Sequence, residues 1–219
     1  MTGAVINTTL ARGTISVAVA DTGSGNLRSV EKALAVAGAD VVVTADAERL
    51  ARADKIVVPG QGAFGGCVSG LDRGGGALRE AVVQSIRAGK PYLGICLGLQ
   101  VLFDASEEDP SCRGLGVLPG RVRRIPAGPG LKIPHMGWNR TRRGPARTDV
   151  LSATPDGTYF YFVHSYYPEP DRPEDNALST EHGIELCVAA ARDNVFGCQF
   201  HPEKSQSAGL ALLRRFVGA

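Results

Sequence analysis

The sequence predicts an α/β fold, in which an open, mostly parallel central sheet carries helices on both faces and an antiparallel extension in the C-terminal half. In the first half of the chain, short apolar runs alternate with segments of helical periodicity. This order is typical of parallel strands that are covered on both sides. In the second half, strand-like runs follow one another across Pro- and Arg-rich loops, which indicates antiparallel pairing.

Each element of the first half depends on a local pattern. Strands are predicted where β-branched and small apolar residues run together, namely at 15–20, 40–44, 55–60 and 91–95. Helices are predicted where apolar residues recur at helical spacing, at 27–38, 46–53, 77–88 and from 97 to 103. A glycine-rich stretch, 60–76, is assigned to neither class. Because open sheets bind ligands beyond the carboxyl ends of their strands, the turns after Ala20, Val58 and Ile95 are expected to cluster at one edge.

The second half is predicted to extend the same sheet. Its strand-like runs lie at 120–126, 158–167, 184–191 and 195–200. The last stretch, 205–217, has helical spacing and is expected to pack back on the core. We interpret residues 14–219 as a single domain and residues 1–13 as a disordered extension, because the length suits one hydrophobic core.

Composition argues against several classes of function. The formal net charge is only +2, which does not favour a nucleic-acid binder that relies on a basic face. Apolar runs stay shorter than the roughly 18 residues of a membrane span. The five cysteines are odd in number and form no CxxC pair, so neither a disulfide framework nor a metal site is indicated. We therefore expect a cytoplasmic protein, without metal or cofactor, whose thiols are mostly inert.

Cys96 is the exception among these thiols. It stands between Gly94 and Gly98 where a predicted strand turns into a helix, as the nucleophile does in a nucleophile elbow. Small residues on both sides allow the tight turn, and the helix that starts at Leu97 favours the reactive thiolate. A buried structural cysteine at a strand end is the alternative interpretation.

A thiol nucleophile needs a base, and the base needs an acceptor that orients it. Of the four histidines, His201 follows a predicted strand and stands two residues before Glu203. Pro202 restricts the backbone between them. Taken alone, this segment is also typical of a surface turn before a helix.

An oxyanion intermediate needs N–H donors, which the turn 59–62 and the residue after Cys96 can supply. Both lie at the carboxyl ends of predicted strands, so they are expected to converge. The candidates are therefore the N–H of Leu97 and one from the turn that holds Gln61. An ordinary strand-exit turn is the alternative for residues 59–62.

Taken together, GICLGLQ (94–100) and HPEK (201–204) resemble the class I, or triad, glutamine amidotransferases. Within that class the chain resembles the glutaminase subunits of imidazole glycerol phosphate synthase, an enzyme of histidine biosynthesis. Further segments carry the narrower resemblance, which extends from about Thr14 to the C-terminus: DTGSGNLRSVEKAL (21–34), PGQGAFG (59–65), PHMGWN (134–139) and FVHSYY (162–167).

The resemblance implies roles for named residues. Cys96, His201 and Glu203 would form the catalytic triad that hydrolyses L-glutamine to glutamate and ammonia. Backbone groups of Gln61 and Leu97 would form the oxyanion hole. The remaining substrate-binding residues would be Gly60, Gln100, Ser165 and Tyr166. The ammonia would pass to a (βα)8-barrel cyclase subunit in a heterodimer, and the candidates for the docking face are Asn26, Met136, Trp138 and Lys204.

Other members of the same chemical class are alternatives. Glutaminase subunits of anthranilate synthase and pyridoxal phosphate synthase use the same triad, although PHMGWN and GSGNLRS argue against both. A γ-glutamyl hydrolase that acts alone would need no partner. A non-catalytic relative would carry a degenerate triad, whereas all three residues are present here.

Overall fold

A computed structural model describes residues 14–218 of the chain. Its strands follow the alternation seen in the sequence. They are β1 (Ser16–Ala20), β2 (Asp40–Thr44), β3 (Lys55–Gly60), β4 (Tyr92–Cys96), β5 (Ala105–Ser106), β6 (Gly120–Arg124), β7 (His135–Arg143), β8 (Tyr159–His164), β9 (Tyr166–Pro170), β10 (Asn176–His182), β11 (Ile184–Arg192) and β12 (Val195–Cys198). The α-helices are α1 (Leu27–Val36), α2 (Ala47–Arg52), α3 (Phe64–Asp72), α4 (Ala77–Arg87), α5 (Leu97–Gln100) and α6 (Gln206–Val217).

Nine of these strands form the main sheet, in the order β2-β1-β3-β4-β12-β11-β10-β7-β8. The pairs from β2 to β12 are parallel, and the pairs from β12 to β8 are antiparallel. This confirms the predicted parallel sheet with an antiparallel extension. The strands β5, β6 and β9 form a separate small sheet, so the prediction that the run 120–126 extends the main sheet is wrong, because β6 pairs with β9 instead.

Two apolar cores cover the two faces of the main sheet. Because side chains alternate along a strand, Val17 and Val19 of β1 pack in one core, which includes residues of α1 and α6. Ala18 and Ala20 of the same strand pack in the other core, which includes residues of α2, α3 and α4. Helices therefore cover both faces, as predicted, and the carboxyl ends of β1, β3 and β4 meet at one edge.

The glycine-rich stretch 60–76 contains a helix that the sequence did not indicate. Glycine disfavours helices, but tertiary packing decides here, because Phe64, Cys67 and Leu71 of α3 are buried. A Cβ atom at Gly70 would overlap the carbonyl oxygen of Thr22, so this glycine allows the helix to approach the turn after β1.

Three further differences concern element boundaries and strands that were not predicted. The helix expected over 97–103 ends at Gln100, and β7 and β10 were not predicted as strands. The run 158–167 divides at Ser165 into β8 and β9, because β9 leaves the main sheet to pair with β6. The predicted extension, residues 1–13, lies outside the described residues.

Candidate active site

Cys96 lies at a strained turn between β4 and α5. Its backbone has φ 55° and ψ −106°, a conformation that a residue with a side chain rarely adopts and that costs about 1–3 kcal/mol. Both neighbouring glycines are needed for this turn. A Cβ atom at Gly98 would overlap the carbonyl oxygen of Val58, and one at Gly94 would overlap the backbone of Gly98. The elbow predicted from the glycine spacing is present in the structure.

His201 and Glu203 form a buried pair just beyond β12. The Nδ1 atom of His201 lies 2.9 Å from Oε1 of Glu203, and their side chains are 2% and 1% exposed. The backbone of His201 is held on both sides, since its N–H donates to the carbonyl of Tyr161 at 3.0 Å and its carbonyl accepts from Ser205 Oγ at 2.7 Å. The imidazole is therefore fixed in orientation.

The electrostatics of His201 favour its protonated form. Burial is the largest single effect and lowers the pKa of the imidazole, but the Cys96 sulfur and the Glu203 carboxylate together raise it to about 9. The Nε2 atom of His201 is buried and has no hydrogen bond to any residue in 14–218. The Cys96 sulfur is nevertheless close enough to raise the pKa of His201. The free Nε2 is thus available to a reacting group beside the thiol.

A cavity of about 440 Å³ brings the predicted residues together. Cys96 and His201 line it, and so do the predicted oxyanion and substrate residues Gln61, Leu97, Gln100, Ser165 and Tyr166. Gly60 does not line the cavity, but it lies opposite Cys96 in the β3–β4 register. A Cβ atom at Gly60 would lie 2.6 Å from that of Leu97, so the small residue lets the two turns approach each other.

Gln199 and Glu108 are among the residues of the site that the sequence analysis did not identify. The Nε2 of buried Gln199 donates to Cys96 Sγ at 3.5 Å, and its Oε1 accepts from Gln100 Nε2 at 2.9 Å. The only signal for Gln199 was a polar residue in an apolar run just before His201. Glu108 lines the cavity from another loop and accepts from the Phe64 N–H at 2.7 Å. No local pattern indicated Glu108.

The other thiols differ from Cys96 in their surroundings. Burial raises the pKa of Cys67 and of Cys187 to about 12, which keeps both protonated and unreactive.

Among residues 14–218, no three His, Cys, Asp or Glu side chains are grouped as metal ligands. No helix in this part of the chain is long and apolar enough to cross a membrane.

The predicted docking residues are only partly brought together. Met136 is 63% exposed and Trp138 is 46% exposed, both on the same face of β7. Trp138 contacts Tyr161 edge-on, and Lys204 Nζ lies 5.9 Å from the centre of the Tyr161 ring. Asn26 has a structural role at the start of α1, where its Oδ1 accepts from the Ser29 N–H at 3.3 Å.

The family described as glutamine amidotransferase class-I matches residues 18–218. The chain belongs to the class-I glutamine amidotransferase family. Two curated relatives are each named imidazole glycerol phosphate synthase subunit HisH. That of Methanothermobacter thermautotrophicus is 49% identical over 201 residues, which cover 92% of this chain and 97% of the relative. That of Nitrosomonas europaea is 49% identical over 211 residues, with the same coverage of both chains. The chain therefore also belongs to the HisH subunit family.

Two solved structures of low sequence identity share the fold. PurLQS of Thermotoga maritima superposes with a TM-score of 0.71 at 18% identity, covering 94% of this chain and 98% of that chain. The glutaminase domain of CTPS from Trypanosoma brucei superposes with a TM-score of 0.61 at 17% identity, covering 94% and 92%. At such low identity these structures support the architecture alone.

Proposed function

We propose that this chain is the glutaminase subunit of a cytoplasmic imidazole glycerol phosphate synthase. It hydrolyses L-glutamine and passes the ammonia to a (βα)8-barrel cyclase subunit. That subunit uses the ammonia to form imidazole glycerol phosphate and aminoimidazole carboxamide ribonucleotide in histidine biosynthesis. The observation that carries the proposal is the strained Cys96 elbow beside the buried His201–Glu203 pair, in a chain 49% identical to HisH subunits.

The first half of the reaction forms a thioester. The Cys96 thiolate attacks the side-chain amide carbon of glutamine, and the carbonyl π electrons move to oxygen. The N–H groups of Leu97 and Gln61 stabilise that oxyanion. When the tetrahedral intermediate collapses, the C–N bond breaks, and the imidazolium of His201 donates its Nε2 proton to the leaving nitrogen. Ammonia leaves and His201 becomes neutral.

The second half hydrolyses the thioester. Neutral His201 takes a proton from water as the water oxygen attacks the acyl carbon, and the C–S bond then breaks to release glutamate and the Cys96 thiolate. His201 is again an imidazolium, so one glutamine and one water give one glutamate and one ammonia. Throughout, the Glu203 carboxylate fixes the imidazole ring and stabilises its charged form.

The cavity offers polar groups for the amino-acid end of glutamine. The Oε1 of Gln100 is buried and has no hydrogen-bond partner among the described residues, so it can accept from the α-ammonium group. The carboxylate of Glu108 lines the same cavity and complements that positive charge. We assign the α-carboxylate to backbone groups of Ser165 and Tyr166, which line the same cavity.

The cyclase is proposed to dock on the exposed face of β7 and β8. Met136 and Trp138 lie on the same face of β7, opposite Val163 and Tyr161 of β8, which makes a contiguous apolar surface. Exposed apolar surfaces of this kind, with an aromatic anchor, mark protein interfaces. Lys204 both lines the catalytic cavity and contacts Tyr161, so the docking face adjoins the site of ammonia release. Asn26 stays a predicted docking residue.

Glutaminase activity measured with and without the cyclase tests the proposal. The isolated chain is expected to hydrolyse glutamine slowly, because we propose that the Gly60–Gln61 peptide reorients to complete the oxyanion hole only in the complex. The cyclase with its nucleotide ligand is expected to activate it strongly, and Cys96→Ala is the control. Full activity of the chain alone would indicate a stand-alone γ-glutamyl hydrolase. Failure of the complex to form imidazole glycerol phosphate from glutamine would contradict the proposed partner.

A further inference from the structure

Two buried histidines outside the triad face each other across β7 and β8. His135 and His164 lie opposite in the strand register, and His135 Nδ1 lies 2.8 Å from His164 Nε2. His135 also stacks on Phe162 and on His182, at 4.7 and 4.2 Å between ring centres. Burial lowers the pKa of His135 to about 4 and that of His164 to about 3. Both rings are therefore neutral at pH 7 and carry one proton each.

The hydrogen bonds determine where each proton sits. The carbonyl of Tyr166 can only accept, and it lies 2.9 Å from His164 Nδ1, so this nitrogen carries the proton of His164. The Nε2 of His164 must then accept, which places the proton of His135 on Nδ1. The Nε2 of His135 is left to accept from Asn139 Nδ2, at 3.1 Å.

The amide of Asn139 is itself fixed in one orientation. Its Oδ1 accepts from the Arg140 N–H at 2.7 Å, and its Nδ2 also donates to the carbonyl of Glu181 at 2.9 Å. A directed chain of hydrogen bonds therefore runs from Asn139 to His135, from His135 to His164 and from His164 to the Tyr166 carbonyl, each residue donating to the next.

This chain ends in the glutamine pocket, which His164 itself also lines. The Tyr166 carbonyl also accepts from Gln100 Nε2 at 3.2 Å, and both residues line the catalytic cavity. Gln100 in turn donates to Gln199, which donates to the Cys96 sulfur. The Tyr166 carbonyl thus holds the Gln100 amide so that its free Oε1 remains available to substrate.

We propose that His135 and His164 are positioning residues that hold the Gln100–Tyr166 wall of the pocket through this directed chain of neutral hydrogen bonds. Because β7 presents Met136 and Trp138 on its outer face and His135 on its inner face, the same strand joins the proposed docking surface to the substrate pocket. The kinetic test of this inference, the KM for glutamine, rests on the proposed glutaminase function. The structural test, the tautomers of the two histidines, does not.

A matched pair of substitutions isolates the bond from His135 to His164. In His135→Asn the side-chain amide occupies the position of Nδ1 and can still donate to His164. In His135→Gln it occupies the position of Nε2, so it can accept from Asn139 but leaves His164 without a donor. Both variants lose the same aromatic stacking. We expect the glutamine KM of His135→Gln to exceed that of His135→Asn by roughly 5- to 30-fold, with less change in kcat, because His164 without its donor no longer fixes the Tyr166 carbonyl. The unmatched buried acceptor should also lower the melting temperature of His135→Gln relative to His135→Asn.

The tautomers of the unmodified full-length chain give an independent test. Long-range ¹H–¹⁵N spectra of histidine-labelled protein should show His135 and His164 both neutral and protonated on Nδ1 at pH 7. Protonation of either ring on Nε2 would overturn the proposal, even if the variants do not fold. Equal KM values for His135→Asn and His135→Gln would overturn it as well. An inactive parent chain in the cyclase complex would instead contradict the proposed function and leave the spectra to decide.

Discussion

Replacing Glu203 by Gln tests whether the charge of the buried carboxylate supports catalysis. The substitution preserves the shape of the side chain and an oxygen that can face His201 Nδ1, now 2.9 Å from Oε1. It removes the negative charge. Glu203 does not line the catalytic cavity, so the effect on substrate must pass through His201.

The magnitude follows from the burial of the pair. Both side chains are almost fully excluded from water, so solvent does not screen their interaction. A hydrogen bond to a charged group contributes roughly 1.5–3 kcal/mol, which corresponds to a loss of roughly 10- to 150-fold in kcat. Because Glu203 helps to raise the pKa of His201 to about 9, its removal lowers that pKa. The alkaline limb of the pH–rate profile is then expected to move to lower pH.

Steady-state glutaminase kinetics of the cyclase complex between pH 6 and 10 would measure both effects. Glu48→Gln is a matched control, because the Glu48 side chain is 88% exposed on α2. The parent KM for glutamine should be retained by Glu203→Gln. An unchanged kcat with an unmoved alkaline limb would refute the reasoning, as would a loss confined to KM.

Four other changes have expected outcomes. Gly98→Ala should abolish activity and lower the melting temperature, because its Cβ would overlap the Val58 carbonyl. Trp138→Ala should weaken cyclase binding by roughly 30-fold or more if it is a hot spot, with little change in melting temperature; calorimetric titration would measure the first and thermal denaturation the second. Glu108→Gln should raise the glutamine KM with a smaller effect on kcat, in the same steady-state assay. The pKa of His201 is raised from 6.5 to about 9 in the folded chain. The free energy of unfolding should therefore include roughly 3 kcal/mol from His201 below pH 6.5, and this contribution should be lost as pH rises through 9. Urea unfolding at a series of pH values would measure it.

The geometry of the two candidate catalytic motifs was predictable from the sequence because most of its determinants are local. Gly94 is required by a backbone contact with Gly98 within the same turn, whereas Gly98 is required by the Val58 carbonyl of the adjacent strand β3; both glycines are visible in the sequence. His201 and Glu203 are two residues apart, so their hydrogen bond also arises within one short segment. Local geometry of this kind can be inferred without knowing the rest of the fold.

The remainder of the site arises from long-range packing. Glu108 enters the pocket by capping the first turn of α3, which itself forms in a glycine-rich segment against helix propensity. Gln199 contacts Cys96 only because β12 pairs with β4. The division at Ser165 depends on which sheet each side of the run joins. These features depend on neighbours distant in sequence, so periodicity and residue type could not indicate them.

The arrangement of the strands limits how a partner could activate this site. Cys96 follows Ile95 of β4, and Ile95 pairs with Cys198 of the adjacent strand β12, three residues before His201. Adjacent strands are held about 4.8 Å apart by their hydrogen bonds, and both strands are buried. The separation of thiol and imidazole is therefore set by the rigid centre of the sheet.

Gln61 and Tyr166, which complete the proposed oxyanion hole and substrate pocket, lie outside the buried strands β4 and β12 that position Cys96 and His201. Gln61 follows β3 in a turn beside Gly62, which has a positive φ. Tyr166 is the first residue of β9 in the small sheet, directly after Ser165, where the chain leaves the main sheet. A partner bound at Met136 and Trp138 would act on β7, whose inner face holds the Tyr166 carbonyl through His135. Activation by the cyclase is therefore expected to change the oxyanion turn and the pocket wall, while the distance between Cys96 and His201 stays the same.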